Sequence, residues 1–203
     1  MAGVAVRISL MSAFAPSIRY PWSGVPAGRL SVLQRRWLFR PGALTAGLRE
    51  LGVVKLRVTR EFATGMPRID SVTLQCEAGT LVWVREVMMS IDGTDCVSAR
   101  SITPLPASKS VWSGMRRLNT RPLADMLYGN RDISRSPFTW RQLGRGDPFF
   151  YAVKRVEARS APQSVLTTRG WLARQSVFRR HGQPLLVQEC FLPAFWAIAA
   201  RHP

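Results

Sequence analysis

Residues Thr80 to Ile91 carry large apolar side chains on alternate positions and run directly into Asp92-Gly93, after which Thr94 to Thr103 are again extended in character. Asp-Gly is a favoured two-residue turn, so the stretch predicts a long antiparallel hairpin closed by Pro104 and Pro106. Side chains two apart on a strand share a face. One face of the first arm reads Leu81, Trp83, Arg85, Val87, Met89 and Ile91; the other reads Val82, Val84, Glu86, Met88 and Ser90. Arg85 is therefore a single cation among five large apolar side chains, and burying it without a partner would cost several kcal/mol.

The last strand repeats the anomaly with opposite sign. Trp171 to Arg180, a turn at His181-Gly182, and Gln183 to Leu192 form a second hairpin, ended by Pro193. Leu185, Val187, Glu189 and Phe191 share one face, and Glu189 is its only charge. Two readings follow. In one, Arg85 and Glu189 neutralise each other, or Arg85 pairs with Glu86, inside the sheet. In the other, they open on a dry pocket where Arg85 forks onto a ligand carboxylate and Glu189 bonds a ligand hydroxyl. A carboxyl on an apolar face is expected to have a raised pKa, which permits acid-base work.

Elsewhere the pattern gives a helix-turn-helix hairpin, with Leu33, Trp37 and Leu38 before Pro41 and Leu44, Leu48 and Leu51 after it. Alternation from Lys55 predicts a strand up to Gly65-Met66-Pro67, and Val72, Leu74 and Cys76 read as a further short strand. Two helical pieces are expected at Val111–Leu118 and Pro122–Tyr128, then a strand from Phe149 to Arg159. Antiparallel strands with helical hairpins between them argue for an α+β single domain built on one antiparallel sheet. The expected organisation is an irregular extension over residues 1–30, the domain over 31–193 and a tail over 194–203, with Met11 an alternative start.

The net charge of +17, from 26 Arg and 3 Lys against 12 acids, first suggests nucleic acid. Its distribution argues against that. Residues 1–70 carry +8 and residues 141–203 carry +7, but residues 71–140 carry only +2, and no basic run exceeds two residues. Three cysteines without a CxxC pair and only two histidines argue against a zinc site or a disulfide framework, and point to a reduced, cytoplasmic protein. No stretch approaches the ~20 apolar residues of a membrane span. There is no GxGxxG, P-loop or metal-ligand cluster, so neither cofactor nor metal is expected.

Two segments carry a family likeness. Trp83-Val84-Arg85-Glu86-Val87 running to Asp92-Gly93 and on to Ala99-Arg100-Ser101-Ile102-Thr103-Pro104, together with Gly182-Gln183-Pro184-Leu185-Leu186-Val187-Gln188-Glu189-Cys190-Phe191-Leu192-Pro193, resembles chorismate lyase. The likeness extends in consistent order from about Trp37 to Pro193. It implies a six-stranded antiparallel sheet with helical hairpins as flaps over an internal site, and the removal of pyruvate from chorismate to give 4-hydroxybenzoate for ubiquinone synthesis, without a cofactor. By position, Arg85 would grip the ring carboxylate and Glu189 would meet the ring hydroxyl. Leu44 and Leu123 would contribute flap contacts, and Arg100 would be a second active-site arginine stabilising the departing enolpyruvyl group. Ala99 replaces a family glycine beside it. The implied partners are chorismate and 4-hydroxybenzoate, with a cytoplasmic monomer that takes neither nucleic acid nor a stable place in a membrane.

Two other classes compete. Effector-binding domains of some bacterial transcription regulators resemble chorismate lyase in fold, but they follow a DNA-binding unit of about 70 residues, and only some 36 precede the match here. A nucleic-acid-binding protein is motivated by the charge alone.

Overall fold

A computed structural model describes residues 22–160 and 170–202. The expectations for Met1, Met11 and most of the 1–30 extension lie outside them. Helices α1 (Val32–Leu38) and α2 (Leu44–Arg49) precede strand β1 (Val54–Gly65), and α3 (Arg68–Leu74) leads to the hairpin β2 (Leu81–Ile91) and β3 (Thr94–Pro104). Next come α4 (Leu105–Lys109), a 3-10 turn (Ser113–Arg117), α5 (Ala124–Leu127), β4 (Ser134–Arg135) and β5 (Thr139–Gln142). Helix α6 (Pro148–Ser160), the hairpin β6 (Leu172–Arg180) and β7 (Gln183–Phe191), and α7 (Pro193–Ala199) complete the chain.

The fold is α+β, on one seven-stranded antiparallel sheet ordered β1-β2-β3-β7-β6-β4, with β5 also paired to β6. Five long strands and two short pieces, β4 and β5 at the β6 edge, make the sheet one strand larger than the six expected. Among the described residues no helix is long and apolar enough to cross a membrane.

Helices cover both faces. On the face carrying Val87, Met89, Val97 and Phe191, helices α1, α2 and α7 supply Trp37, Leu38, Leu44, Leu48 and Phe195. Further along the same face, residues 107–127 supply Trp112, Met115, Leu118, Leu123 and Leu127 against Phe178 and Leu185. The opposite face is covered by α6, through Phe149, Val153 and Val156, and by α3, through Leu74.

Three sequence expectations change. Residues 72–76 are not a strand: Pro67 precedes the first turn of α3, Asp70 lies in that turn, and Gln75 ends the helix in the left-handed region. Residues 149–159 form helix α6, not a strand, because Pro148 suits a first helical position and the buried Phe149, Ala152, Val153 and Val156 recur at helical spacing. The residues after Pro193, expected as a tail, begin as a packed helix, α7, whose Phe195 meets Trp37 edge-on at 4.9 Å.

One irregularity sets the geometry of the site. The Asp92-Gly93 turn pairs Ile91 with Thr94 and Ser90 with Asp95, but Met89 pairs with Val97. Cys96 is the extra residue of a β-bulge. A bulge of one residue exchanges the faces of everything beyond it. Arg85 accordingly lies across from Ser101, and Arg100 lies across from Glu86.

Candidate active site

Register across the sheet stacks the site into two adjacent rows. Glu61, Arg85, Ser101, Val187 and Ser176 form one, and Val87, Ala99, Glu189 and Arg174 form the next. Two strand spacings of ~4.8 Å and one two-residue step of ~6.8 Å place the Cα atoms of Arg85 and Glu189 about 12 Å apart. Their side chains line one cavity, in the gap between the two apolar clusters on this face, together with Leu44, Leu123, Tyr128 and Phe138. The space not filled by atoms is about 570 Å³, part of it open to solvent.

Neither of the in-sheet pairings considered from sequence occurs. Arg85, only 1% exposed at its side chain, has Nε 3.3 Å from Glu61 Oε1 on the neighbouring edge strand. It donates through Nη2 to the carbonyls of Asn119 at 2.7 Å and Arg121 at 3.3 Å. Burial lowers its pKa, and the Glu61 carboxylate offsets part of that. Glu86 is on the other face and pairs with Arg155 at 2.9 Å. Glu189 accepts at 2.6 Å from Nε of Arg174.

Each guanidinium also binds one of the segments that cover the cavity. Asn119 and Arg121 immediately precede Leu123, in the cover formed by residues 105–128. Arg174 donates through Nη1 to the carbonyls of Trp37 at 3.0 Å and Arg40 at 3.1 Å, in the α1–α2 cover that carries Leu44. The two covers meet where Tyr128 Oη donates to the Gly42 carbonyl at 2.8 Å. Burial raises the Tyr128 pKa.

Leu44 and Leu123 thus line the cavity with Arg85 and Glu189, and Arg100 does not. The bulge at Cys96 turns Arg100 to the opposite face, where it donates to Asp70 Oδ2 at 3.0 Å and to Gln188 Oε1 from Nε at 2.9 Å, over the Phe149 ring. There it belongs to a buried network that also ties Gln188 to Gln175 at 2.9 Å. Burial raises the Asp70 pKa, with the Arg100 charge as the main opposing influence. The expected role of Arg100 on a departing group has no geometric basis in this arrangement.

Sequence reading missed Arg174, Glu61, Phe138 and Tyr128. For Arg174 a signal existed. The two-residue turn at His181-Gly182 pairs Arg180 with Gln183, and counting back from it without interruption brings Arg174 opposite Glu189. Glu61, Phe138 and Tyr128 come from segments whose approach only the tertiary fold determines.

Among the charges that line the cavity are two guanidiniums and one carboxylate, set in mostly apolar walls. Such a site suits a small anion carrying a hydrogen-bonding group at its far end. The architecture and the site define an α+β protein with a covered cavity on an antiparallel sheet, lined by two guanidiniums and one carboxylate. Residues 26–200 match the family model for chorismate lyase, and the chain belongs to that family. It is 56% identical over 179 residues to a probable chorismate pyruvate-lyase of Bordetella pertussis, covering 88% of this chain and 91% of the relative. A probable chorismate pyruvate-lyase 1 of Pseudomonas fluorescens is 39% identical over 176 residues, covering 87% of this chain and 91% of the relative. Among solved structures, a GntR-family transcriptional regulator from Bacillus cereus aligns with a TM-score of 0.49 and 12% identity, over 70% of this chain and 92% of that one.

Proposed function

We infer that the protein is a chorismate pyruvate-lyase, which removes pyruvate from chorismate to give 4-hydroxybenzoate, the entry to ubiquinone synthesis. Family membership carries the reaction class. The observation that carries the site is the convergence of Arg85 and Glu189 on one apolar cavity between Leu44 and Leu123.

Chorismate is a dianion with a ring carboxylate and a C4 hydroxyl. Its C3–O bond breaks and the electron pair leaves with the enolpyruvyl group. The hydrogen at C4 departs as a proton, its electrons complete the aromatic ring, and protonation of the enolpyruvate carbon gives pyruvate. Aromatisation supplies the driving force, so the protein's task is to hold a reactive conformer away from water. Arg85 binds the ring carboxylate in a bidentate fork, displacing contacts that its Nη2 now makes with the Asn119 and Arg121 carbonyls. Glu189 accepts from the C4 hydroxyl. Leu44 and Leu123 close on the ring from the two covers, and their apolar surfaces exclude water. The guanidinium of Arg85 at the cavity favours an anionic ring over a neutral one. No step in this scheme draws on a metal or a cofactor.

The enzyme is further proposed to work as a monomer in the cytoplasm, and three cysteines without CxxC spacing support the reduced compartment. The direct test is incubation of purified protein with chorismate while 4-hydroxybenzoate and pyruvate are followed. Stoichiometric formation of both is expected. A folded sample that gives neither without added cofactor would rule the assignment out.

A further inference from the structure

We propose that Arg174 is a positioning residue of this site: it aims the Glu189 carboxylate at the ring hydroxyl and joins that contact to the seating of the α1–α2 cover. The proposal rests on the chorismate-lyase reading for the identity of the ring. Arg174 and Glu189 face each other across the β6–β7 ladder, and their 2.6 Å contact is at the short end for a charge-assisted bond. The Arg174 side chain is 1% exposed and that of Glu189 14%, so the carboxylate is the more open member of the pair. The Phe138 ring stacks against it, 4.1 Å from Cζ, and restricts the guanidinium plane.

The same planar group holds the cover. Nη1 donates to the carbonyl of Trp37, in the last turn of α1, and to that of Arg40, in the link to α2. Carbonyls in the last turn of a helix have no partner within it, so this cation satisfies a group that the helix leaves open. In a guanidinium the directions of Nε and Nη1 are fixed relative to each other. A rotation that releases Glu189 therefore also withdraws the donor from Trp37 and Arg40. Recognition of the hydroxyl and closure of this cover then become one event, and a lysine, as a single point charge, cannot serve both ends.

The test compares 4-hydroxybenzoate with benzoate, which keeps the carboxylate and lacks the hydroxyl, by calorimetry on the full chain. Wild-type protein is expected to prefer 4-hydroxybenzoate by more than about tenfold, and Arg174→Lys to reduce the preference to about threefold or less by losing more affinity for 4-hydroxybenzoate than for benzoate. A preserved preference, equal loss for both ligands, or a wild type that binds both alike would each overturn the proposal. Should the lysine variant fail to fold, amide exchange on the wild type decides. Residues 37–45 should be protected by 4-hydroxybenzoate and not by benzoate, and equal protection by both overturns the coupling. Chorismate turnover by the wild type, measured on the same sample, separates the two claims. Absent turnover removes the lyase reading, whereas turnover with an unchanged preference in Arg174→Lys removes only the role of Arg174.

Discussion

Arg100 stands opposite Glu86 on the sheet, and Arg85, fifteen positions before it in the chain, stands opposite Ser101. The two arginines consequently serve different faces. Arg85 reaches the cavity, and Arg100 anchors a buried polar network with Asp70 and Gln188.

Substitution separates their tasks. Arg85→Ala should lower chorismate kcat/KM by roughly 30-fold to several thousandfold, equivalent to the ~2–5 kcal/mol of a truncated, buried charged contact. Arg100→Gln should leave kcat per folded molecule near the wild-type value and cost ~3–5 kcal/mol of stability, because Asp70 loses its buried counter-charge. Urea unfolding combined with kinetics on the folded fraction checks both. Loss of turnover without loss of stability in Arg100→Gln would return Arg100 to the chemistry.

In the proposed mechanism Glu189 holds the hydroxyl, and one of its oxygens is already bonded to Arg174. Glu189→Gln should weaken 4-hydroxybenzoate binding by about ten- to a hundredfold, the range of a hydrogen bond to a charged group. The accompanying fall in kcat should stay well below the ~10²–10⁴-fold expected for loss of a general acid or base. Steady-state kinetics with an independent product Kd distinguishes these outcomes, and a fall in kcat of that larger size would make Glu189 a proton acceptor.

Tyr128 links the two covers through the Gly42 carbonyl. Removing only the hydroxyl in Tyr128→Phe leaves the ring in its edge-on contact with Phe178 at 5.9 Å. Loss of a net ~0.5–1.5 kcal/mol should weaken product affinity about two- to tenfold, mainly through faster release. Stopped-flow displacement of 4-hydroxybenzoate measures it, and an unchanged dissociation rate would show that the covers move independently of this bond.

Asp70 gives a pH signature of unusual sign. Burial raises its folded pKa above the unfolded value near 3.9, so across that window the native state binds more protons than the unfolded chain. Its contribution is then most favourable below pH ~4 and falls as pH rises through the folded pKa. The stability difference between wild type and Asp70→Asn should accordingly decrease from pH 4 upward and level off above the folded pKa. Urea titrations at several pH values test this, and a difference that grows with pH would mean that Arg100 dominates over burial.

Much of the site was legible because strand faces obey a period of two. A lone Arg85 and a lone Glu189 among apolar neighbours each required a partner or a ligand, and the chain order of hairpins placed both on one sheet. Two short stretches defeated the same logic. Val72, Leu74 and Cys76 satisfy a strand pattern but follow Pro67 into a helix, and Phe149, Ala152, Val153 and Val156 hold a helical stripe within a segment that also reads as a strand. Short apolar runs carry both periods, and packing selects between them.

The sequence by itself determined the α+β class, both long hairpins, the α1–α2 pair and the two isolated charges, because turn dipeptides and side-chain alternation are local. It also held the Arg174–Glu189 pairing, since no irregularity interrupts the ladder that runs back from His181-Gly182. Only the tertiary structure decided where Arg100 points. The Asp92-Gly93 turn alone sets it beside Arg85, but the bulge at Cys96 shifts the register by one. Cys96 is fully buried in the cluster beneath α1, α2 and α7, and its carbonyl accepts from Leu192 on the neighbouring chain segment. That burial depends on elements far away in sequence, so the face of Arg100 was set by packing and not by the turn.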